Sequence, residues 1–300
     1  MSGDIFPLSV PIYIVDAFTD RPFSGNPAAI CLVSPGQVLT NEQMQRVGTE
    51  MNLPETAFIS LDKGDFVTEN VFGLRFFTPT VEIDLCGHAT LASAAILFKE
   101  LGNSSNEITF TSRSGPLTVK RFDKTKISLN LPENAPSPVN LADYKDLLKV
   151  TVTDECLVQD IQLSKTGLLI VRLKDDVTRE TFEELNPQID RMVEADVTKS
   201  LKGLGITLKG LRENGCVDSK GNVYDFVSRY FVPWIGVPED PVTGSWHTVA
   251  SPYWAKELNK VNLYAHQCSK RGGDLWLTVE RERVILTGDS VINLRGMFSL

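Results

Sequence analysis

The sequence carries the same passage twice, and a chain that repeats itself at a fixed offset builds two similar units. In the first copy Asp84-Leu85-Cys86-Gly87-His88-Ala89-Thr90 runs into Leu91-Ala92-Ser93-Ala94-Ala95-Ile96-Leu97-Phe98. That segment is apolar nearly all the way round, as a helix buried on every side would be. In the second copy Glu239-Asp240-Pro241-Val242-Thr243-Gly244-Ser245 leads into Trp246-His247-Thr248-Val249-Ala250 and on through Tyr253-Trp254-Ala255. Gly87 and Gly244 are 157 positions apart (244 − 87), and the same offset carries Lys99-Glu100-Leu101 onto Lys256-Glu257-Leu258, Ser112 onto Ser269 and Gly115 onto Gly272. Upstream, Arg75-Phe76-Phe77-Thr78-Pro79 matches Arg229-Tyr230-Phe231-Val232-Pro233 at an offset of 154 (229 − 75), so the second copy holds three extra residues before its glycine turn. Length changes of that kind belong in loops.

Each copy reads as strand, polar turn, buried helix and hairpin, which predicts an α+β fold of two pseudo-symmetric domains, each a curled sheet around one helix. The first domain is expected over 1–131, with 289–300 returning to it through Val291 to Leu294. The second is expected over 139–288, and the three prolines from Pro132 to Pro138 read as the link between them. Val10 to Ala17 and Ala28 to Val33 read as a strand pair. Thr40 with Gln43 forms a capping-box pattern for a helix that runs to about Asn52 and ends at Pro54. Strands are predicted at Thr56–Leu61, Val71–Phe77, Glu107–Thr111, Leu117–Arg121 and Lys126–Leu131 in the first half. In the second they are predicted at Leu168–Leu173, Gly205–Leu208 and Val223–Phe231, and near Leu263, Leu275 and Val284. Short helical turns are predicted at Arg179–Glu184 and Arg191–Ala195. Pro252, nine residues into the second helix, removes a donor and clashes with the carbonyl of Thr248, so that helix is expected to kink or end there.

Three hundred residues, 42% hydrophobic and 23% charged, suit a globular protein of two domains. No run approaches the length of a membrane span, and the opening Met-Ser-Gly-Asp-Ile-Phe-Pro lacks the features of a signal peptide, so a cytoplasmic, non-membrane location is expected. Cys31, Cys86, Cys156, Cys216 and Cys268 are odd in number and scattered, which fits reduced thiols. A net charge of −8 argues against nucleic acid as a partner, and the basic stretch at Lys120, Arg121, Lys124 and Lys126 is broken by Asp123 and reads as a solvated hairpin.

The candidate chemistry gathers at the two glycine turns. A helix that starts Gly-His or Gly-Ser leaves backbone N–H groups unpaired at its positive end, a place to hold an anion. His88 is either a polar residue in an exposed first turn or a donor and proton relay, and the helix dipole there favours neutral imidazole. Glu55, in Pro54-Glu55-Thr56, reads either as part of a solvated turn or as a partly desolvated carboxylate able to take and return a proton. Asp240 is either a turn acid or a group that orients a substrate hydroxyl or holds His88. Ser245 is either a cap or a donor to a substrate carboxylate. Ser245 and His247 point to different faces of a helix, which disfavours a hydrolase triad. Cys86 and His88 make only a Cys-x-His pair, weak for zinc. Neither a phosphate-cradling Gly-x-x-x-x-Gly-Lys motif nor a dinucleotide-binding Gly-x-Gly-x-x-Gly is present. An enzyme with no cofactor and no metal is what remains.

Gly25-Asn26-Pro27-Ala28, Met51 to Phe58, Phe77-Thr78-Pro79, Leu85 to Thr90, Glu239 to Ser245 and Gln267 to Gly273 together resemble the PhzF family, its animal members above all. The resemblance covers nearly the whole chain. It implies the diaminopimelate epimerase-like fold, two similar domains with the active site in the cleft where both helix starts meet, and usually a homodimer. In the bacterial enzyme the reaction isomerises a dihydrohydroxyanthranilate without metal or coenzyme. By resemblance Glu55 is the general acid and base, with His88, Asp240 and Ser245 as its catalytic partners. Gly87 and Gly244 supply backbone donors to the substrate carboxylate, and Asn26, Thr243 and Cys86 complete the binding residues. The epimerase relatives place a cysteine before each glycine, whereas this chain has Cys86 and then Thr243. A hydroxyl cannot replace a thiolate there, so a two-thiol racemase is disfavoured. Trp246, where a small residue is common, is expected to narrow the pocket.

The expected function is therefore a cofactor-independent isomerase of a small carboxylated, cyclic or unsaturated metabolite. The alternatives are a silent interaction scaffold for an unidentified protein partner, or a racemase relying on Cys86 alone.

Overall fold

The computed structural model describes residues 9–152 and 154–300; the opening heptapeptide read above for targeting lies outside them. The chain divides into two compact units, Met1–Asn130 with Thr287–Leu300, and Leu131–Leu286. The fold is α+β, with few helices and mixed sheets.

In the first unit β1 (Ser9–Ala17) and β2 (Asn26–Val33) pair antiparallel, with Ile12 opposite Cys31. Helix α1 (Asn41–Met51) starts with the expected capping box: Gln43 N–H donates to Thr40 Oγ1 at 3.2 Å and Thr40 N–H to Gln43 Oε1 at 2.9 Å. It stops at Asn52, whose φ of 49° takes the left-handed conformation that ends helices. Then come β3 (Glu55–Ser60), β4 (Val71–Phe77) and β5 (Glu82–Ile83), followed by α2 (Gly87–Ala95), which widens into a π turn over Ile96–Glu100. The strands β6 (Glu107–Ser112), β7 (Gly115–Arg121) and β8 (Ile127–Pro132) follow. The C-terminal strand Ser290–Ser299 lies antiparallel along β1 from Ser9 to Ala17.

Sequence dictates why α2 is sheathed. Its Ala89, Leu91, Ala92, Ala94 and Ala95 are fully buried, and the small side chains let β1, β2, β3, β7 and the C-terminal strand close in around it. Each larger apolar group that follows, Ile96, Leu97 and Phe98, is likewise buried and contributes roughly 1.5–3 kcal/mol. Lys99 ends the helix and donates to Ser290 O at 3.0 Å and Ser290 Oγ at 2.8 Å, which ties the C-terminal strand to the unit.

The second unit holds β9 (Ser137–Pro138), α3 (Lys145–Thr151), β10 (Val158–Leu163), β11 (Leu168–Leu173), α4 (Arg179–Glu184), α5 (Ile189–Ala195), β12 (Gly203–Lys209), β13 (Phe226–Phe231), α6 (Gly244–Leu258), β14 (Asn262–Gln267), β15 (Gly273–Glu280) and β16 (Arg283–Gly288). The stretch read as a plain link contributes β9, which pairs with β10. The pairings β10–β11, β11–β12, β12–β13, β13–β14 and β14–β15 run antiparallel, parallel, antiparallel, parallel, antiparallel. In the first unit β1–β2, β2–β3, β3–β4, β4–β6 and β6–β7 follow the same sequence of directions. The repeat seen in the glycine turns is thus a repeat of the whole sheet.

Pro252 neither ends α6 nor interrupts it, for the helix runs on to Leu258. Proline deprives Thr248 O of its usual helical donor, and that carbonyl instead accepts the N–H of Asn134 at 3.1 Å. The rule broken inside the helix is met by a neighbouring segment of the same unit.

Candidate active site

In the first unit the cluster is built by strand register. Ala28 of β2 lies opposite Glu55 of β3, and side chains two apart share a face, so Asn26 and Glu55 are diagonal neighbours on one side of the sheet. Helix α2 packs against β2 and β3 and brings its first turn to that side. There His88 Nε2 lies 2.9 Å from Glu55 Oε2, and His88 Nδ1 lies 3.4 Å from Cys86 Sγ. Among the described residues Glu55, Cys86 and His88 are the one group of three such side chains whose ligating atoms all lie within 4.8 Å of each other.

The Glu55 side chain is 15% exposed, yet its Oε2 atom is buried and accepts no well-aligned hydrogen bond from the described residues. The close approach to His88 is therefore charge attraction off the N–H axis, and it leaves an oxygen lone pair for another donor. Cys86 is the N-cap of α2 and supplies no side-chain cap, so the helix start keeps donors to spare. Gly87, half-buried between two buried neighbours, keeps the backbone there accessible.

The neutral imidazole expected at His88 is overturned. Burial disfavours its charge, but the Cys86 sulfur and the Glu55 carboxylate together hold its pKa well above the usual histidine value. The thiol is itself pushed up to about 11, first by burial and then by Glu55, so near neutrality the Glu55 charge is what counts. The local carboxylate outweighs the helix dipole because it is a full charge at contact distance.

In the second unit Thr243 caps α6 and, like Cys86, gives no side-chain cap. Its hydroxyl donates to Asp240 Oδ2 and its N–H to Gln267 Oε1 at 2.9 Å, while Gln267 Nε2 donates to Asp240 O at 2.7 Å. Ser245 is exposed and Gly244 buried. Asp240, Thr243, Gly244 and Ser245 thus sit at one helix start, as the spacing predicted. Gln267, fully buried, is the residue that fixes this start; the sequence reading quoted it within a motif without giving it this task.

Trp246 does not narrow a pocket. It is fully buried, stacks on Tyr230 at 5.3 Å and donates Nε1–H to Ser228 Oγ at 3.0 Å. Its room comes from Gly205, where a Cβ would lie 2.2 Å from the indole ring. His247 next to it is also fully buried; Nδ1 lies 2.8 Å from Thr243 O and Nε2 has no hydrogen-bond partner among the described residues. Burial pushes its pKa down to about 4.

One repeated device escaped sequence reading. Arg75 grips Glu82 through two nitrogens at 2.7 and 2.8 Å and lies 5.2 Å over the Phe77 ring. Arg229 grips Glu239 at 2.8 and 3.0 Å and lies 5.2 Å over Phe231. In each unit a two-pronged pair of this kind anchors the loop before the glycine turn to its strand. The offset that matched Arg75 to Arg229 was the available signal.

Comparison with known proteins adds to this geometry. The family model described as "Phenazine biosynthesis-like protein" matches residues 15–296. The chain is similar to the phenazine biosynthesis-like domain-containing protein of Bos taurus, 44% identical over 293 residues, covering 96% of this chain and 99% of that one. It is similar to a Pseudomonas aeruginosa protein named as an uncharacterized isomerase, at 38% identity over 98% of this chain and 100% of that one. The crystal structure of a PhzF family protein from Enterococcus faecalis matches with a TM-score of 0.82 and 35% identity, covering 98% of this chain and 100% of that one.

Proposed function

The chain belongs to the phenazine biosynthesis-like, PhzF family, and on that premise we propose that it is a cofactor-independent isomerase that moves a proton on a small carboxylated, cyclic or unsaturated metabolite. The observation that carries the reading is the Glu55–His88 pair, 2.9 Å apart at an uncapped helix start. A carboxylate oxygen without an aligned donor can take a proton from carbon, and the same group returns it at another carbon of a conjugated system. Protonated His88 beside it and the free N–H groups of α2 offset the negative charge that builds up as the proton leaves. The name of the Pseudomonas aeruginosa relative supports the reaction class.

In this proposal Ser245 and the backbone donors of Gly87 and Gly244 hold the carboxylate, Asp240 orients a substrate hydroxyl, and Thr243 is a further binding residue. Cys86 as sole acid and base is the weaker reading, because a thiol raised to about 11 gives little thiolate near neutrality. A homodimer in the cytoplasm goes with this proposal.

The test is solvent exchange. The full chain is incubated in heavy water with a panel of small cyclic and unsaturated carboxylic acids, and deuterium entry is followed by NMR. Wild type is expected to label at least one acid, and Glu55→Gln to lose at least about 100-fold in rate while remaining folded and keeping its stabilisation by that acid. Labelling by Glu55→Gln at the wild-type rate removes Glu55 from the role. An acid that stabilises the wild type without being labelled points instead to a binding scaffold.

A further inference from the structure

The second copy of the repeat shows solvent an apolar cluster that its own core does not use. The three residues it holds beyond the first copy fall in the loop between Pro233 and Gly244, which opens with a 3₁₀ turn, Pro233–Ile235. Trp234 packs on the core of the unit, but Ile235 is 69% exposed. Helix α5 packs against this turn and buries Met192, while Val193 on the same helix and Val197 just beyond it are 46% and 67% exposed. A single apolar side chain in solvent is ordinary; three on adjoining elements mark a contact surface.

Charge decides what covers it. From Arg179 to Lys199 there are six acids and three bases, a net of −3 (3 − 6). Next to this face, α4 borders a groove of about 670 Å³ lined by Glu180, Glu183, Glu184 and Glu213 around Arg179. Arg179 is committed to Glu183 at 2.6 Å and to Val217 O at 2.9 Å, and Glu180, Glu184 and Glu213 have no ion pair among the described residues. Arg229 links groove and turn: it donates to Leu185 O at 2.6 Å, between α4 and α5, and grips Glu239 in the loop that carries Ile235. A two-fold contact with a second copy sets such a patch against itself, acid facing acid, and is disfavoured. Nucleic acid and anionic lipid are disfavoured by the same sign.

We propose that α5 and the Pro233–Ile235 turn dock a basic amphipathic helix of a partner protein. The apolar face of that helix covers Val193, Val197 and Ile235, and its Lys or Arg side chains meet Glu180, Glu184 and Glu213 in the groove. None of the residues assigned to proton transfer takes part, so this surface stands or falls apart from the isomerase reading.

The experiment uses the full chain and a synthetic helical peptide of about 15 residues with Leu on one face and Lys on the other, read by fluorescence anisotropy. A peptide with Glu in place of Lys is the control. Saturable binding of the Lys peptide is expected, weakening as added salt screens the charges, with no binding of the Glu peptide. Ile235→Ser and Val193→Ser, both at exposed positions, should each weaken it at least about fivefold. Reversing charge with Glu180→Lys and Glu184→Lys together should also weaken it and flatten the salt dependence; this pair decides even if an apolar variant misfolds. No binding of the Lys peptide, equal affinity in all these variants, or equally tight binding of the Glu peptide overturns the surface. Sedimentation of the protein alone is the last arm: a dimer that Ile235→Ser dissociates gives the face to a second copy and overturns the proposal as well.

Discussion

His247 makes acid stability a quantitative test of the packing at α6. Its ring is fully buried, donates from Nδ1 to Thr243 O at 2.8 Å and leaves Nε2 without a partner. In the unfolded chain it takes a proton below its ordinary value of 6.5, whereas in the folded chain burial delays that to about 4. Between those limits the unfolded state binds more protons, so stability falls as pH falls. Integration gives a loss of about 2 kcal/mol at pH 5 relative to pH 8, growing to about 3 kcal/mol below pH 4.

The carboxylates of the chain titrate in the same range, so the assay is a difference. His247→Asn keeps an N–H near the position of Nδ1 and does not titrate. Urea unfolding of both proteins at pH 8, 6 and 5 isolates the histidine. At pH 8 the variant is expected to be the less stable, because it leaves space where the ring was. By pH 5 that gap should shrink by about 2 kcal/mol as the wild type alone loses the contribution. Parallel curves, with the gap constant within about 0.5 kcal/mol, would refute the claim that a buried neutral imidazole sits there.

The other expectations are shorter. His88 should titrate above 6.5 in an NMR pH series; the stability from its pairing with Glu55 is full below 6.5 and is lost as pH rises through the raised folded value. Gly205→Ala should cost about 1–3 kcal/mol, read by urea unfolding, because its Cβ would meet the Trp246 ring at 2.2 Å. Gly25→Ala should cost at least about 2 kcal/mol in the same assay, since φ is +66° and the Cβ would lie 2.1 Å from Ala17 O. Of the five thiols, only exposed Cys156 should react quickly with a disulfide reagent at pH 8, and fast labelling of Cys86 would contradict its burial and its raised pKa.

What the sequence made legible is what repeats or alternates. The capping box at Thr40 and Gln43, the apolar run after Gly87 and the 157-residue offset each write a local rule into residue identity. Helix α3 went unread, and so did strand β10, whose residues Val158–Leu163 alternate imperfectly. The behaviour of Pro252 was out of reach for a different reason: its penalty is offset by Asn134, 118 positions away (252 − 134). Trp246 was misjudged in the same way, because the room for its ring is made by a glycine on another strand. At the site, residue types and helix starts were visible, but the charge on His88 was not. It depends on the distance to Glu55, which the packing of α2 on β2 and β3 sets.

The offset that reveals the repeat also marks where the two copies have parted. It places Cys86 on Thr243 and His88 on Ser245, so at matching helix starts one unit has a thiol and an imidazole and the other has two hydroxyls. The first start has an acid within 2.9 Å of its imidazole; at the second, the nearest acid, Asp240, is engaged by the Thr243 hydroxyl. Neither Thr243 nor Ser245 can carry a proton to and from carbon near neutrality, because their hydroxyls ionise far above it. On the proposed reading, the proton at carbon is therefore moved by Glu55 and His88 and not by Thr243 or Ser245, the residues at the matching positions of the second copy. Restoring symmetry is the sharpest check: Thr243→Cys alone should not create racemase activity, because the new thiol would still face Asp240 and no imidazole follows it at position 245. If that single change did produce stereoinversion of an amino acid, a thiol at each helix start would suffice and the assignment to Glu55 and His88 would fall.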